Sequence, residues 1–274
     1  MTEEMNGGCC GGGNKKVSKD ALAVAGAILF GSLVIAMTMF VISPKTTKVA
    51  VPTDAAKQQT GEEKPEVTLD KVQALFDGQN ISFGKKDSKV LFVEFSDPSC
   101  PFCHVAAGKN SALNNQIGAQ FKLVKDGGAY VAPVPEMKKL VDTGKASYVW
   151  LYANGHGNGE LGTRALYCGN EKGKFWEVHD LLMSAAGYEI LNTTVKNDVK
   201  KAGVMADFLK SAVKPSDMQA CLESGKYDSR LESDMEVAKS FGFSGTPSFF
   251  VNTKNFSGAY SFTDMQSTVD QFLK

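Results

Sequence analysis

Six cysteines occur in the chain, and two of them stand in a spacing that can do chemistry: Cys100-Pro101-Phe102-Cys103. Thiols with two residues between them fall within one helical turn and can close a disulfide on each other. The apolar run 90–95 (VLFVEF) reads as a buried strand, Ser96-Asp97-Pro98-Ser99 as a turn, and 100–120 as a helical stretch. Cys100 then falls at a helix N-terminus. Unpaired N–H groups and the positive end of the dipole there favour its thiolate, the form that attacks disulfides. Cys103 lies one turn in, is shielded, and suits a resolving thiol. Pro101 falls at the first helical position, where its missing N–H costs nothing. Zinc ribbons also use this spacing, but a four-cysteine site needs a second close pair. Cys168 and Cys221 belong to no such pair, so no metal is expected.

Two further features bear on the same chemistry. Glu94 lies inside the apolar strand, six positions before Cys100. A carboxyl group there is desolvated, its pKa is raised, and it can relay the proton of Cys103; the alternative is a strand-end acid facing water. Gly245-Thr246-Pro247 precedes the apolar SFFV. It reads either as a plain turn or as a cis proline that sets the carbonyl and N–H of Thr246 beside the sulfurs, where an extended substrate can pair with them.

The elements that must position these residues follow from periodicity. Strands are expected at 147–153, 248–251 and 257–261. Helices are expected over 162–171, 174–185, 194–213, 216–224, 228–241 and 262–273. The prolines of 131–135 (VAPVP) exclude regular structure there. Strand, helix, strand, helical block, strand, strand, helix is an α/β order: a mixed sheet with a helical insertion at about 158–240, within a domain spanning 69–274.

Upstream, residues 21–43 form an uncharged apolar run long enough to span a bilayer as one helix. The run ends at Ser43-Pro44 without a small-x-small cleavage site, which favours an uncleaved signal anchor over a cleaved signal peptide. Residues 1–20 are then a cytoplasmic tail, in which Cys9 and Cys10 read as reduced thiols. The polar, proline-punctuated stretch 44–68 is a flexible linker. The chain has 274 residues, 43% hydrophobic, with 30 basic and 30 acidic side chains. That apolar fraction excludes a largely disordered chain. Zero net charge without a basic block argues against nucleic-acid binding.

VEFSDPSCPFC, GKFWEVHDLL and SGTPSFFVN together resemble the DsbA-type thiol–disulfide oxidoreductases of the thioredoxin superfamily, over roughly residues 80–274. The resemblance implies a thioredoxin fold with a helical insertion and no cofactor. It implies Cys100 as nucleophile, Cys103 as resolving thiol, Glu94 as buried acid and Pro247 as cis proline. Thr246 and Phe102 are the expected substrate contacts. It also implies an oxidising compartment outside the cytoplasmic membrane, exported cysteine-containing proteins as clients, and re-oxidation by a quinone-linked membrane partner of the DsbB or vitamin-K-epoxide-reductase type. A reductase or isomerase fed by a membrane electron donor, or a non-catalytic binding module, are the competing readings.

One departure concerns the dipeptide between the cysteines. The best-known oxidases of this family carry a histidine there that stabilises the thiolate; Phe102 cannot. His104 reads as a partly exposed helix residue, with partial substitution for that histidine as the alternative. His156 reads as a loop residue and His179 as a helix-packing residue. In an oxidising compartment Cys168 and Cys221 are expected to form a second disulfide, two buried thiols being the alternative.

Overall fold

A computed structural model describes residues 65–274. The apolar run 21–43, most of the linker, Cys9 and Cys10 lie outside the described residues. Among the described residues no helix is long and apolar enough to cross a membrane.

In chain order the elements are α1 (Leu69–Ala74), β1 (Ile81–Phe83), β2 (Leu91–Ser96), α2 (Pro101–Ala107), α3 (Ser111–Ile117), α4 (Pro133–Asp142) and β3 (Ser147–Tyr152). A helical block follows: α5 (Glu160–Glu171), α6 (Phe175–Leu182), α7 (Ala185–Glu189), α8 (Ala202–Phe208), α9 (Pro215–Glu223) and α10 (Asp228–Ser240). The hairpin β4 (Ser248–Val251) and β5 (Lys254–Ser257), then α11 (Phe262–Leu273), close the chain. The sheet order is β1-β3-β2-β4-β5, with β2 and β3 parallel and the other pairs antiparallel. This is a thioredoxin-like mixed sheet with a helical insertion between β3 and β4.

Every residue of β2 and of β3 is buried, which marks strands covered on both faces. Period-two alternation divides them. Leu91, Val93 and Phe95 join Val149, Leu151 and Phe250 against α1 and the end of α10. Phe92 joins Tyr148, Trp150, Tyr152 and Phe249 in the larger core, beneath the helical insertion and α11. Burying each such aromatic or leucine contributes about 1.5–3 kcal/mol.

The helical stretch expected over 100–120 is two helices. Gly108 ends α2 in the left-handed region (φ 64°), and a Cβ there would stand 2.6 Å from Ala132 Cβ. The segment 131–135, read as irregular, instead starts α4. Pro133 occupies the first helical position, and the first turn needs no N–H from Pro133 or Pro135. The last strand is Lys254–Ser257 rather than 257–261, because Asn252 (φ 52°) turns the chain immediately after β4. The helix expected over 194–213 is shortened to α8: a π-turn over Ile190–Val195 and left-handed Lys196 and Asn197 precede it. β1 and α1 are additional to the expected elements.

Candidate active site

β2 runs into a turn that a carboxylate holds. Asp97 is fully buried, and its Oδ1 accepts the Ser99 N–H at 2.8 Å and the Ser99 hydroxyl at 2.7 Å. Its Oδ2 accepts the N–H groups of Gly155 at 2.9 Å and His156 at 2.8 Å, in the loop after β3. Asn192 donates to Ser99 O at 3.1 Å from the insertion. The turn that aims α2 is thus tied to β3 and to the insertion at once. Sequence reasoning missed Asp97, Ser99 and Asn192. The signal for the first two is Asp-x-Ser after a buried strand, a pattern in which the carboxylate caps its own turn.

Cys100 is the N-cap of α2, extended at φ −77° and ψ 126°, with Pro101 at the first helical position. Both Cys100 and Cys103 are free thiols here. The Cys100 thiol donates to Thr246 O at 3.5 Å. Its pKa is drawn down to about 6, first by a hydrogen bond from Cys103. The Thr246 side chain and the backbone N–H groups of Cys103 and Phe102 act the same way, against burial. Cys103 is 1% exposed and accepts the Asp97 N–H at 3.4 Å. Burial, then the neighbouring Cys100, push its thiol well above the ordinary value. One sulfur is therefore disposed to be an anion at neutral pH and the other to keep its proton.

Glu94 is 1% exposed on β2, in register with Trp150 and Phe249 on the insertion face of the sheet. The Tyr148 hydroxyl donates to its Oε2, while Oε1 has no partner among the described residues. Burial raises its pKa; His179, Tyr148 and Ser96 oppose this. Tyr148 and His179 were not expected at the site. An apolar strand offers no sign that its tyrosine reaches a carboxyl group across the pleat.

The Thr246–Pro247 peptide is cis. Thr246 also lies against the loop after β3, where a Cβ at Gly155 would stand 1.7 Å from Thr246 Oγ1. Phe102 is 42% exposed and meets the ring of Phe121 edge-on at 5.8 Å. Phe243 packs on Phe95, with ring centroids 6.3 Å apart. His104 is fully buried rather than partly exposed. Its ring nitrogens stand 2.9 Å from Met183 O and 2.8 Å from Pro98 O. Burial lowers its pKa to about 4, so it is neutral at neutral pH and supplies no cation to Cys100. His156 lies in the exposed loop that Asp97 holds, and His179 is buried on α6. Cys168 of α5 and Cys221 of α9 are joined in a disulfide, within the insertion and apart from the redox pair.

A buried strand delivering an asymmetric cysteine pair to a helix start, opposite a Thr-Pro segment, defines a class: a thiol–disulfide oxidoreductase. A family model described as Thioredoxin matches residues 134–271, from α4 through Pro247 to α11 and C-terminal to both cysteines of the pair. The chain belongs to this thioredoxin family. It is 27% identical to the putative protein-disulfide oxidoreductase of Rickettsia bellii over 230 residues, 82% of this chain and 76% of that protein. It is 22% identical to disulfide bond formation protein D of Bacillus subtilis over 203 residues, 72% of this chain and 78% of that protein. The fold is similar to that of the thiol-disulfide exchange protein α-DsbA2 of Wolbachia pipientis. The TM-score is 0.51 at 20% identity, over 74% of this chain and 95% of that one.

Proposed function

We propose that this protein is a membrane-anchored, extracytoplasmic oxidase that donates its Cys100–Cys103 disulfide to exported cysteine-containing proteins. The observation that carries the reading is the asymmetry of the pair. A Cys100 held near pKa 6 is a good leaving thiolate, and stabilising the reduced form makes a disulfide a stronger oxidant. The Cys168–Cys221 disulfide supports an oxidising compartment, since such bonds persist outside the cytosol. The uncharged run 21–43 supports the anchor, and the name of the Bacillus relative supports disulfide formation as the direction.

In the mechanism, a client thiolate attacks Cys100, the Cys100–Cys103 bond breaks, and Cys103 leaves. A second client thiolate then displaces Cys100 and forms the client disulfide. Cys103, whose anion is disfavoured by burial, needs a proton as it leaves, and Glu94 supplies it. Thr246, whose carbonyl already faces Cys100, pairs with the client backbone, Pro247 holds that segment, and exposed Phe102 contacts the client side chains. A quinone-linked membrane partner of the DsbB or vitamin-K-epoxide-reductase type re-oxidises the pair.

A reductase or isomerase reading is favoured by one observation: Phe102 in the dipeptide and neutral His104 leave no imidazolium beside Cys100. The redox potential of the full-length protein in glutathione buffers separates the two. A value near about −120 mV supports the oxidase; one near about −270 mV overturns it in favour of a thioredoxin-like reductant.

A further inference from the structure

Glu94 and Ser96 are two residues apart on β2, so their side chains leave the same face of the sheet. Both are shut off from solvent. Each presents an oxygen, Glu94 Oε1 and Ser96 Oγ, that completes no hydrogen bond among the described residues of the reduced protein. Buried polar oxygens are rarely left unpaired, and two neighbours on one face of one strand require an account. The Cys103 sulfur lies at the end of this strand. The N–H of Asp97, in the peptide bond directly after Ser96, points at it from 3.4 Å. The Ser96 hydroxyl lowers the pKa of both the carboxyl group and the Cys103 thiol. Nothing else in the proposed mechanism uses it.

We infer that the Ser96 hydroxyl is the proton relay between Glu94 Oε1 and Cys103 Sγ. This rests on the role proposed above for Glu94. When a client thiolate attacks, its sulfur bonds to Cys100 Sγ, the Cys100–Cys103 bond breaks, and the electron pair leaves on Cys103. The client sulfur is oxidised and the Cys103 sulfur reduced. Ser96 gives its hydroxyl proton to Cys103 Sγ while the carboxyl proton of Glu94 passes to Ser96 Oγ. Glu94 remains as a carboxylate that accepts the Tyr148 hydroxyl, and it takes a proton back from solvent once the client departs. Re-oxidation runs the same transfers in reverse. A hydroxyl suits this task because it donates and accepts at one atom.

The test is stopped-flow reduction of the oxidised full-length protein by a cysteine peptide, in water and in deuterium oxide. Ser96→Ala, Glu94→Gln and the double variant are compared with the parent. Ser96→Ala removes one atom from a packed face, and urea unfolding checks that it folds. The relay requires Ser96→Ala and Glu94→Gln each to slow the first step by about tenfold or more. It requires the double variant to be no slower than Glu94→Gln, and the solvent isotope effect of the parent to vanish in Ser96→Ala. If Glu94→Gln is slow but Ser96→Ala keeps the parental rate and isotope effect, the relay is wrong and the role of Glu94 stands. The relay is equally wrong if the two losses multiply. If Glu94→Gln itself reacts at the parental rate, the role of the acid fails and the relay fails with it.

Discussion

Replacing Cys103 by alanine should move the titration of Cys100, and by how much follows from the site. A fall from an ordinary 9 to about 6 is a preference of about 4 kcal/mol for the thiolate. The first contributor is the hydrogen bond from Cys103. Hydrogen bonds to charged groups contribute about 1.5–3 kcal/mol, or one to two pH units. Thr246 and the N–H groups at the start of α2 supply the remainder against burial. Cys103→Ala should therefore raise the Cys100 midpoint from about 6 to about 7–8. The assay is the rate of iodoacetamide labelling of the reduced full-length protein across pH 4–10, read by mass spectrometry. The sign of the linked stability is fixed by the depressed pKa. The contribution is complete above the unfolded value near 9 and is lost as pH falls through about 6. At pH 7 about 1.4 kcal/mol of it is realised, which makes the pair roughly 30 mV more oxidising. The midpoint potential should accordingly fall by about 59 mV per pH unit below pH 6 and by about 30 mV above it, where reduction takes up one proton fewer. A parental midpoint of 8–9 refutes the thiolate reasoning altogether. An unmoved midpoint in Cys103→Ala would transfer the effect from the thiol to the helix start.

Three other outcomes are expected. Cys168 and Cys221 are 53 residues apart, so replacing both by alanine should cost about 4 kcal/mol in urea unfolding and leave the Cys100 midpoint in place; a cost under about 1 kcal/mol would show that loop closure does not govern this bond. Glu94 has a raised pKa in the folded protein, so its contribution is complete below the ordinary carboxyl range and is lost as pH climbs through the raised value. Glu94→Gln should then match the parent at pH 4 and exceed it in stability at pH 8, and a parallel pair of stability–pH curves would contradict the burial argument. Asp97→Ala leaves the N–H groups of Ser99, Gly155 and His156 and the Ser99 hydroxyl without their acceptor. A loss of at least about 2 kcal/mol is expected, together with an altered Cys100 midpoint, because the turn that aims α2 is released.

The parts of the fold that local rules govern were legible in the sequence. β2, β3, β4 and α11 were found because apolar runs and one amphipathic stripe specify them without help from the rest of the chain. The turn at Gly108 and the helix from Pro133 were missed. Gly108 was read within a continuing helical stripe, and two prolines were read as breakers although both fall in a first turn. β1 is three residues long and exists by pairing with β3, which no local pattern announces. At the site the division is similar. Cys100, Cys103, Glu94 and Pro247 are close in sequence to features that betray them. Tyr148, His179 and Asn192 reach the site only through tertiary packing, so their side chains read as core or helix surface until the sheet and insertion are assembled.

The two sheet faces explain why a fold can carry so much buried polarity beside its redox pair. Under α1 and the end of α10, β2 presents Leu91, Val93 and Phe95, with no ionisable side chain of the strand. The opposite face carries Glu94, Ser96 and Tyr148 among its aromatics, and the insertion covers it. That cover does more than exclude water. Met183 O fixes the His104 ring, Asn192 holds the carbonyl of Ser99 just before Cys100, and His179 tempers the desolvation of Glu94. Met183 also packs directly against Cys100 and Cys103. Removing water raises the carboxyl and the resolving thiol together, so that a proton can move between them with little change in the charge each prefers. Without the insertion this face of the sheet would meet solvent, and the acid role proposed for Glu94 would lose the burial on which it rests. The helical block therefore contributes burial to the proposed redox site, and its disulfide ties α5 to α9 within that cover.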